Sequence, residues 1–154
     1  MKIIKIKVEN FRLLKNFNLD LEQELSLVIG KNNIGKTSLL VVLDKFLNGN
    51  ETKKFQYNDF NLDFRTVLKD LLNKDIIKEE EYKEVGIRLR LLIEYGKDDD
   101  LEYISPILMD LDIENNFLGL GFDYVLTYDK YLELKQAYNE FIIHEAEKEK
   151  KILH

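Results

Sequence analysis

A run of eight residues, Gly30-Lys31-Asn32-Asn33-Ile34-Gly35-Lys36-Thr37, stands out for the chemistry that its types and spacing allow. It fits G-x-x-x-x-G-K-[ST], the pattern of a phosphate-binding loop. Gly30 releases the chain from a strand and Gly35 lets the backbone curl tightly, so consecutive amides turn inward at the start of a helix and cradle a phosphate. Lys36 adds an ammonium group that bridges β- and γ-phosphates, and Thr37 supplies a hydroxyl for Mg²⁺. At average residue usage such a match arises by chance on the order of once in two hundred chains of this length.

The flanking sequence supplies the strand and the helix that such a loop needs. Leu25-Ser26-Leu27-Val28-Ile29 is a nearly unbroken apolar run of strand length, suited to a central strand covered on both faces. From Lys36 the period changes. Leu39, Leu40, Leu43, Phe46 and Leu47 repeat at helical spacing, which predicts a helix lying on a sheet, and Asn48-Gly49-Asn50 stops it. Ahead of the loop, Ile4, Ile6 and Val8 alternate with charged residues, and Phe17, Leu19 and Leu21 repeat the pattern after a turn around Leu13 to Asn16. That is a β-hairpin.

Further on, alternation from Val85 to Tyr95 and from Leu118 to Tyr128 predicts two long paired strands. Between them Asp98 to Asp100 marks a turn, and Ser105-Pro106 reads as a helix start. Val67, Leu68, Leu71 and Leu72 predict a second helix. Leu134, Tyr138, Phe141 and Ile142 predict a closing helix from Tyr131 onward. Residues 51 to 63 show no clear period and read as a loop anchored by Phe55, Tyr57 and Phe60. No linker composition interrupts the chain, so residues 1–154 read as a single domain.

Composition narrows the chemistry. With 45% hydrophobic residues over 154 positions the chain has enough apolar side chains for a core. The absence of Cys removes disulfides, thiolate catalysis and Cys-based zinc sites, and two histidines, His144 and His154, make no metal cluster. Charge is uneven: the first 50 residues carry 8 Lys+Arg against 5 Asp+Glu, and the remainder 15 against 24. An acidic chain with four arginines neutralises few phosphates and is a poor stand-alone DNA binder. The lysine-rich N-terminus alternates rather than forming an apolar run, so it is a strand and not an export signal. The longest apolar stretch, Leu39 to Leu43, is five residues, against roughly 18 for a bilayer span. A cytoplasmic protein is expected.

The stretch Ile6-Lys7-Val8-Glu9-Asn10-Phe11-Arg12, the repeat Phe17 to Leu21, the strand Leu25 to Ile29 and the block Gly30 to Leu40 together resemble the start of ABC-type ATPases of the SMC/RecF kind. They are most similar to the overcoming-lysogenization-defect (OLD) family, in which the loop typically reads G-x-N-[NG]-x-G-K-[ST]. Asn32 and Asn33 fit, since Asn tolerates the left-handed conformation. The resemblance implies an α/β P-loop NTPase, the N-terminal part of an ABC-type head, with a mixed sheet, an antiparallel β-subdomain and flanking helices. It implies ATP and Mg²⁺ as cofactors. Gly30, Asn32, Asn33, Ile34, Gly35, Lys36, Thr37 and Ser38 would hold the nucleotide, and Thr37 the metal, with Gln56 or Asp59 completing its shell. Asn10-Phe11-Arg12 would lie near the base or help form the fold. The partners implied are a second head in a nucleotide-gated dimer and a nuclease or effector, either a separate subunit or a fused Toprim domain. Nucleic acid would be engaged by the full assembly, in processing or in defence against bacteriophage.

The signature helix, the Walker B strand and the switch histidine of that family are not legible. Ile107-Leu108-Met109-Asp110 imitates Walker B but follows a proline and lacks the second acid. No residue is assigned a catalytic role, and the chain reads as the N-terminal part of a longer ATPase. The rival reading is a non-hydrolytic P-loop module that stabilises an assembly. A GTPase or small-molecule kinase is disfavoured by the lack of N-K-x-D and of a lid-like segment. Arg88 and Arg90 read as cross-strand charge partners, Glu79 to Glu81 as a solvated helix start, and Asp98 to Asp100 as a turn rather than a cation site.

Overall fold

Alternation of apolar and charged residues places two sets of side chains on opposite faces of one sheet. The computed structural model describes residues 1–22, 35–49, 54–96, 99, 102 and 116–152. Strand β1 (Lys2–Phe11) pairs antiparallel with β2 (Leu14–Asp20) and with β3 (Val85–Glu94), and β3 pairs antiparallel with β4 (Phe117–Leu126). The order is β2-β1-β3-β4. Register aligns Leu19, Ile6, Leu91 and Leu120 across the four strands, and beside them Phe17, Val8, Leu89 and Phe122. Helix α1 (Lys36–Leu47) lies on this apolar face and adds Leu39 and Val42 to the core. Full burial of side chains such as Val8, Val42 and Leu89 contributes about 1.5–3 kcal/mol each.

The other face of the sheet is charged and internally paired. Lys5 bridges Asp20 at 3.0 Å, Lys7 bridges Glu9 at 2.7 Å, and Arg90 bridges Asp123 at 2.7 Å, with Arg88 at 3.6 Å from the same carboxylate. Arg88 and Arg90 are thus the cross-strand charge partners that their alternation suggested.

Helix α2 (Leu62–Asn73) starts at Asn61, whose side-chain oxygen accepts from Asp63 N–H at 3.1 Å, and buries Phe64. Helix α3 (Tyr128–Ile152) docks its first turns on the end of α2. There the Lys135 ammonium donates to the carbonyls of Leu72 and Lys74, and the Tyr138 hydroxyl donates to Asn73 at 2.8 Å. A lysine closes this helix end by filling carbonyls that have no amide left to bind. Among the described residues no helix is long and apolar enough to cross a membrane.

Several expectations change. The described strands form one antiparallel sheet, in which the expected hairpin β1–β2 and the pair β3–β4 are joined rather than separate. Strand β1 needs apolar neighbours on both sides of Ile6 and Val8, and β3 supplies the second side. The run Leu25–Ile29, which would make the sheet mixed, and Ser105-Pro106 lie outside the described residues. The hairpin turns through Arg12-Leu13 rather than Leu13 to Asn16, because Leu14 is buried and Asn16 already pairs with Glu9. On α1 Leu39, Leu43 and Phe46 face the core as expected, joined by Ser38 and Val42, whereas Leu40 is 69% exposed and Leu47 is also exposed. Tyr128 opens α3 instead of ending a strand. Tyr131 and Lys135 are its buried residues, while Leu134, Phe141 and Ile142 are exposed.

Candidate functional site

Sequence chemistry pointed to the start of α1, and the described part of the loop is Gly35 to Ser38. Gly35 sits at φ 93°, ψ 5° as the N-cap of the helix, a left-handed conformation that side chains rarely adopt. Space agrees with the dihedral, since a Cβ on Gly35 would come 2.8 Å from Leu14 Cδ2. The first α-helical bond runs from Leu39 N–H to Gly35 C=O at 2.9 Å. The amides of Lys36, Thr37 and Ser38 therefore precede the helix's own ladder. No side chain caps this end, and its first turn holds no acidic residue. An uncapped helix N-terminus with a lysine at its first position favours an anion. Thr37 is exposed at that end and Ser38 is buried beneath it. Gly30, Asn32, Asn33 and Ile34 lie outside the described residues.

Beside this end stands the hairpin turn. Asn10 (φ 63°) and Arg12 (φ 46°) are both left-handed without being glycine, a strain of order 1–3 kcal/mol each that neighbours must hold. They are held. Asn10 Nδ2 donates to Gly86 C=O at 2.8 Å, and its own carbonyl accepts from Asn61 N–H at 2.9 Å. Arg12 N–H donates to Asp59 C=O at 2.8 Å, and the Asn61 side chain donates back to Arg12 C=O. Between the two, Phe11 is fully buried and bridges Phe60. In this structure Asn10-Phe11-Arg12 helps form the fold.

Of the three aromatics expected to anchor the loop over residues 51 to 63, Phe55 and Phe60 pack inward, whereas Tyr57 is 55% exposed beneath Arg65, and α2 already begins at Leu62. Phe55 packs on Phe46 (4.9 Å between centroids) and stacks on Tyr124 (4.7 Å). A single 3-10 turn, Tyr57–Asp59, then delivers Asp59 into a site where it is 3% exposed. Its Oδ1 accepts from Arg12 Nε at 3.0 Å and Nη2 at 2.8 Å, and its Oδ2 accepts from Gln56 N–H at 3.0 Å and faces Lys45 Nζ at 3.2 Å. Burial alone would raise the pKa of this carboxyl. The Gln56 amide, Arg12 and Lys45 outweigh it and hold the group below its ordinary value.

The family model for the AAA ATPase domain matches residues 1–154. The chain belongs to the AAA ATPase domain family. No curated protein matches it. AAA-type ATPase domains are nucleotide-binding P-loop domains that generally use ATP with Mg²⁺, and they commonly oligomerise.

In this AAA ATPase domain both metal-shell candidates are engaged within the fold. A carboxylate has about four lone-pair sites, and those of Asp59 are taken by four donors, which leaves none directed at a Mg²⁺ ion. Its work here is to hold cations. The Gln56 side chain accepts from the Asp59 backbone amide, and the Gln56 amide donates to Asp59 Oδ2 at 3.0 Å, a reciprocal cap of the 3-10 turn. Among the described residues no three His, Cys, Asp or Glu side chains converge on a metal-sized site. Sequence reasoning missed Lys45 and Asn61. Lys45 lies off the apolar stripe, and its partner carboxylate is distant in the chain. The Asn61 cap was signalled by Asn preceding an apolar-periodic run.

Proposed function

We propose that this AAA ATPase domain binds ATP·Mg²⁺ at the N-terminus of α1 through Gly30 and Asn32 to Ser38, with Lys36 on the β- and γ-phosphates and Thr37 on the metal. The observation that carries it is the left-handed Gly35 opening a helix whose first amides have neither a side-chain cap nor a neighbouring acid. Bound Mg²⁺ would neutralise charge on the bridging phosphate oxygens. The chain's own groups bind and orient. The matching family supports the cofactor assignment.

Within the family we read the chain as an OLD-like head whose nucleotide-gated pairing with a second head controls a nuclease or other effector in nucleic-acid processing or anti-phage defence. Support for this finer reading is the Asn10-Phe11-Arg12 turn beside the loop and the Asn32-Asn33 pair within it. Hydrolysis requires groups that place water and neutralise developing charge, and on this reading a second head in the nucleotide-gated pair would supply them.

Lys36→Ala tests the site. Hydrogen bonds to charged groups contribute about 1.5–3 kcal/mol, so the loss should weaken ATP·Mg²⁺ binding about 10- to 150-fold in calorimetry, with an unchanged unfolding midpoint. Unchanged affinity would remove the P-loop from the account.

A further inference from the structure

The Arg12–Asp59–Lys45 cluster lies outside the loop motif, yet its partners reach both ends of α1. At one end the hairpin turn touches the helix directly, since Leu14 packs on Gly35, the residue that aims the first amides. At the other end Lys45, in the last turn of α1, faces Asp59 Oδ2 at 3.2 Å, donates to Lys54 C=O at 2.8 Å and lies 5.4 Å from the centre of the Phe55 ring. Asp59 Oδ1 returns to the turn through Arg12. A closed mechanical loop results: Gly35, α1, Lys45, Asp59, Arg12, Leu14 and back to Gly35.

We propose that Asp59 is a positioning residue for the phosphate loop. Its carboxylate ties the far end of α1 to the same turn that seats Gly35, so the helix cannot pivot about its N-terminus, and the direction of the Lys36, Thr37 and Ser38 amides is fixed before a ligand arrives. Pre-set donors are worth more than donors that must be ordered on binding. A carboxylate suits the task because it accepts from a guanidinium and an ammonium at once. Asparagine keeps the shape but not the charge. This inference rests on the nucleotide reading for its purpose, though not for its geometry.

The test uses the full chain with Asp59→Asn and, as a milder second variant, Lys45→Met, which keeps an apolar stem by Phe55 while removing the ammonium. Hydrogen exchange without nucleotide is read at the Leu39 amide, which bonds to Gly35 at the opposite end of α1 from Lys45, and at the amides of the β1–β3 ladder. Both variants should speed exchange at Leu39, by about 10-fold or more for Asp59→Asn, while ladder amides keep their rates. ATP·Mg²⁺ affinity should fall about 5- to 20-fold at a temperature where circular dichroism shows each variant folded. A merely structural Asp59 would speed helix and ladder amides alike and leave affinity unchanged, which overturns the proposal. If Asp59→Asn does not fold, the same two outcomes are read on Lys45→Met. If wild type itself fails to bind ATP·Mg²⁺, the nucleotide reading falls, and the exchange data still decide whether Asp59 sets the pose of α1.

Discussion

The two ends of α1 are built on opposite principles. At the N-terminus a glycine opens the helix, no side chain caps it, and the first turn holds no acidic residue. At the C-terminus Asn48 N–H donates to Asp44 C=O at 3.0 Å, the Asn48 side chain donates to Asp44 at 3.1 Å, and Lys45 is held by a carboxylate, a carbonyl and an aromatic ring. One end opens on a glycine with no side-chain cap, and the other is tied into the fold by side-chain contacts. A helix can aim at an anion only if something other than the anion fixes its direction. On the proposed reading the closed end sets the aim of the open end, and the hairpin turn meets both, at Gly35 through Leu14 and at Asp59 through Arg12.

The sharpest way to break this contrast is at the open end. Gly35→Ala forces a side chain into φ 93° and drives a Cβ to 2.8 Å from the buried Leu14. Conformational strain and overpacking together should lower unfolding free energy by about 2–3 kcal/mol. Adding Leu14→Ala should recover only the steric part, so a double-mutant cycle in urea should show a favourable coupling of about 1 kcal/mol. Strict additivity would mean that the turn does not brace the helix start.

A smaller effect separates the ends by pH. Asp59 titrates below its ordinary value of 3.8 in the fold, so the unfolded chain takes up its proton first as the solution is acidified. The sign follows: its contribution is present above about pH 4 and is lost as pH falls through the folded-state value. Wild type should then lose more stability than Asp59→Asn between pH 6 and pH 3, measured as the shift in denaturant midpoint. Asp99, whose pKa is also lowered, by the Gly96 amide and the N-terminal amine, is common to both proteins and cancels in the difference. Equal acid losses in the two proteins would place the closed end's strength in packing rather than in charge.

What could be read from the sequence divides along the same line. The open end was legible because its parts are consecutive: a glycine, a lysine and a hydroxyl residue at fixed spacing before an apolar stripe. Strands β1 to β4 were legible because alternation is local, and α2 and α3 were legible as helices but not in their inward faces, which are Phe64 on α2 and Tyr131 and Lys135 on α3. The closed end was not, since Arg12, Lys45 and Asp59 are brought together by tertiary folding, and a charged residue in a polar loop reads as solvated. Asp59 was singled out for a metal that its filled lone pairs do not favour. The joining of the two hairpins through β1 and β3 was hidden for a related reason, because alternation reports which face a residue takes and not which strand lies beside it. Leu40 was misassigned by treating every apolar residue at helical spacing as inward, although the inward arc of α1 runs through Ser38, Leu39, Val42, Leu43 and Phe46.

Leu40 provides the smallest and most discriminating change, because it lies between the two ends and belongs to neither. It is 69% exposed, and Gln matches Leu closely in helix propensity, so Leu40→Gln removes apolar surface from water without disturbing backbone or core. Stability should move by no more than about 0.5 kcal/mol, and ATP·Mg²⁺ affinity should not move at all. The measurement is a pair of urea curves at two protein concentrations tenfold apart. A midpoint that falls by the equivalent of more than about 1 kcal/mol, and does so only at the higher concentration, would mean that a second copy of the chain covers this face of α1 in solution. The open end would then be aimed by a subunit contact as well as by Asp59, and the frame supplied by the hairpin turn would be only half of what holds the helix in place.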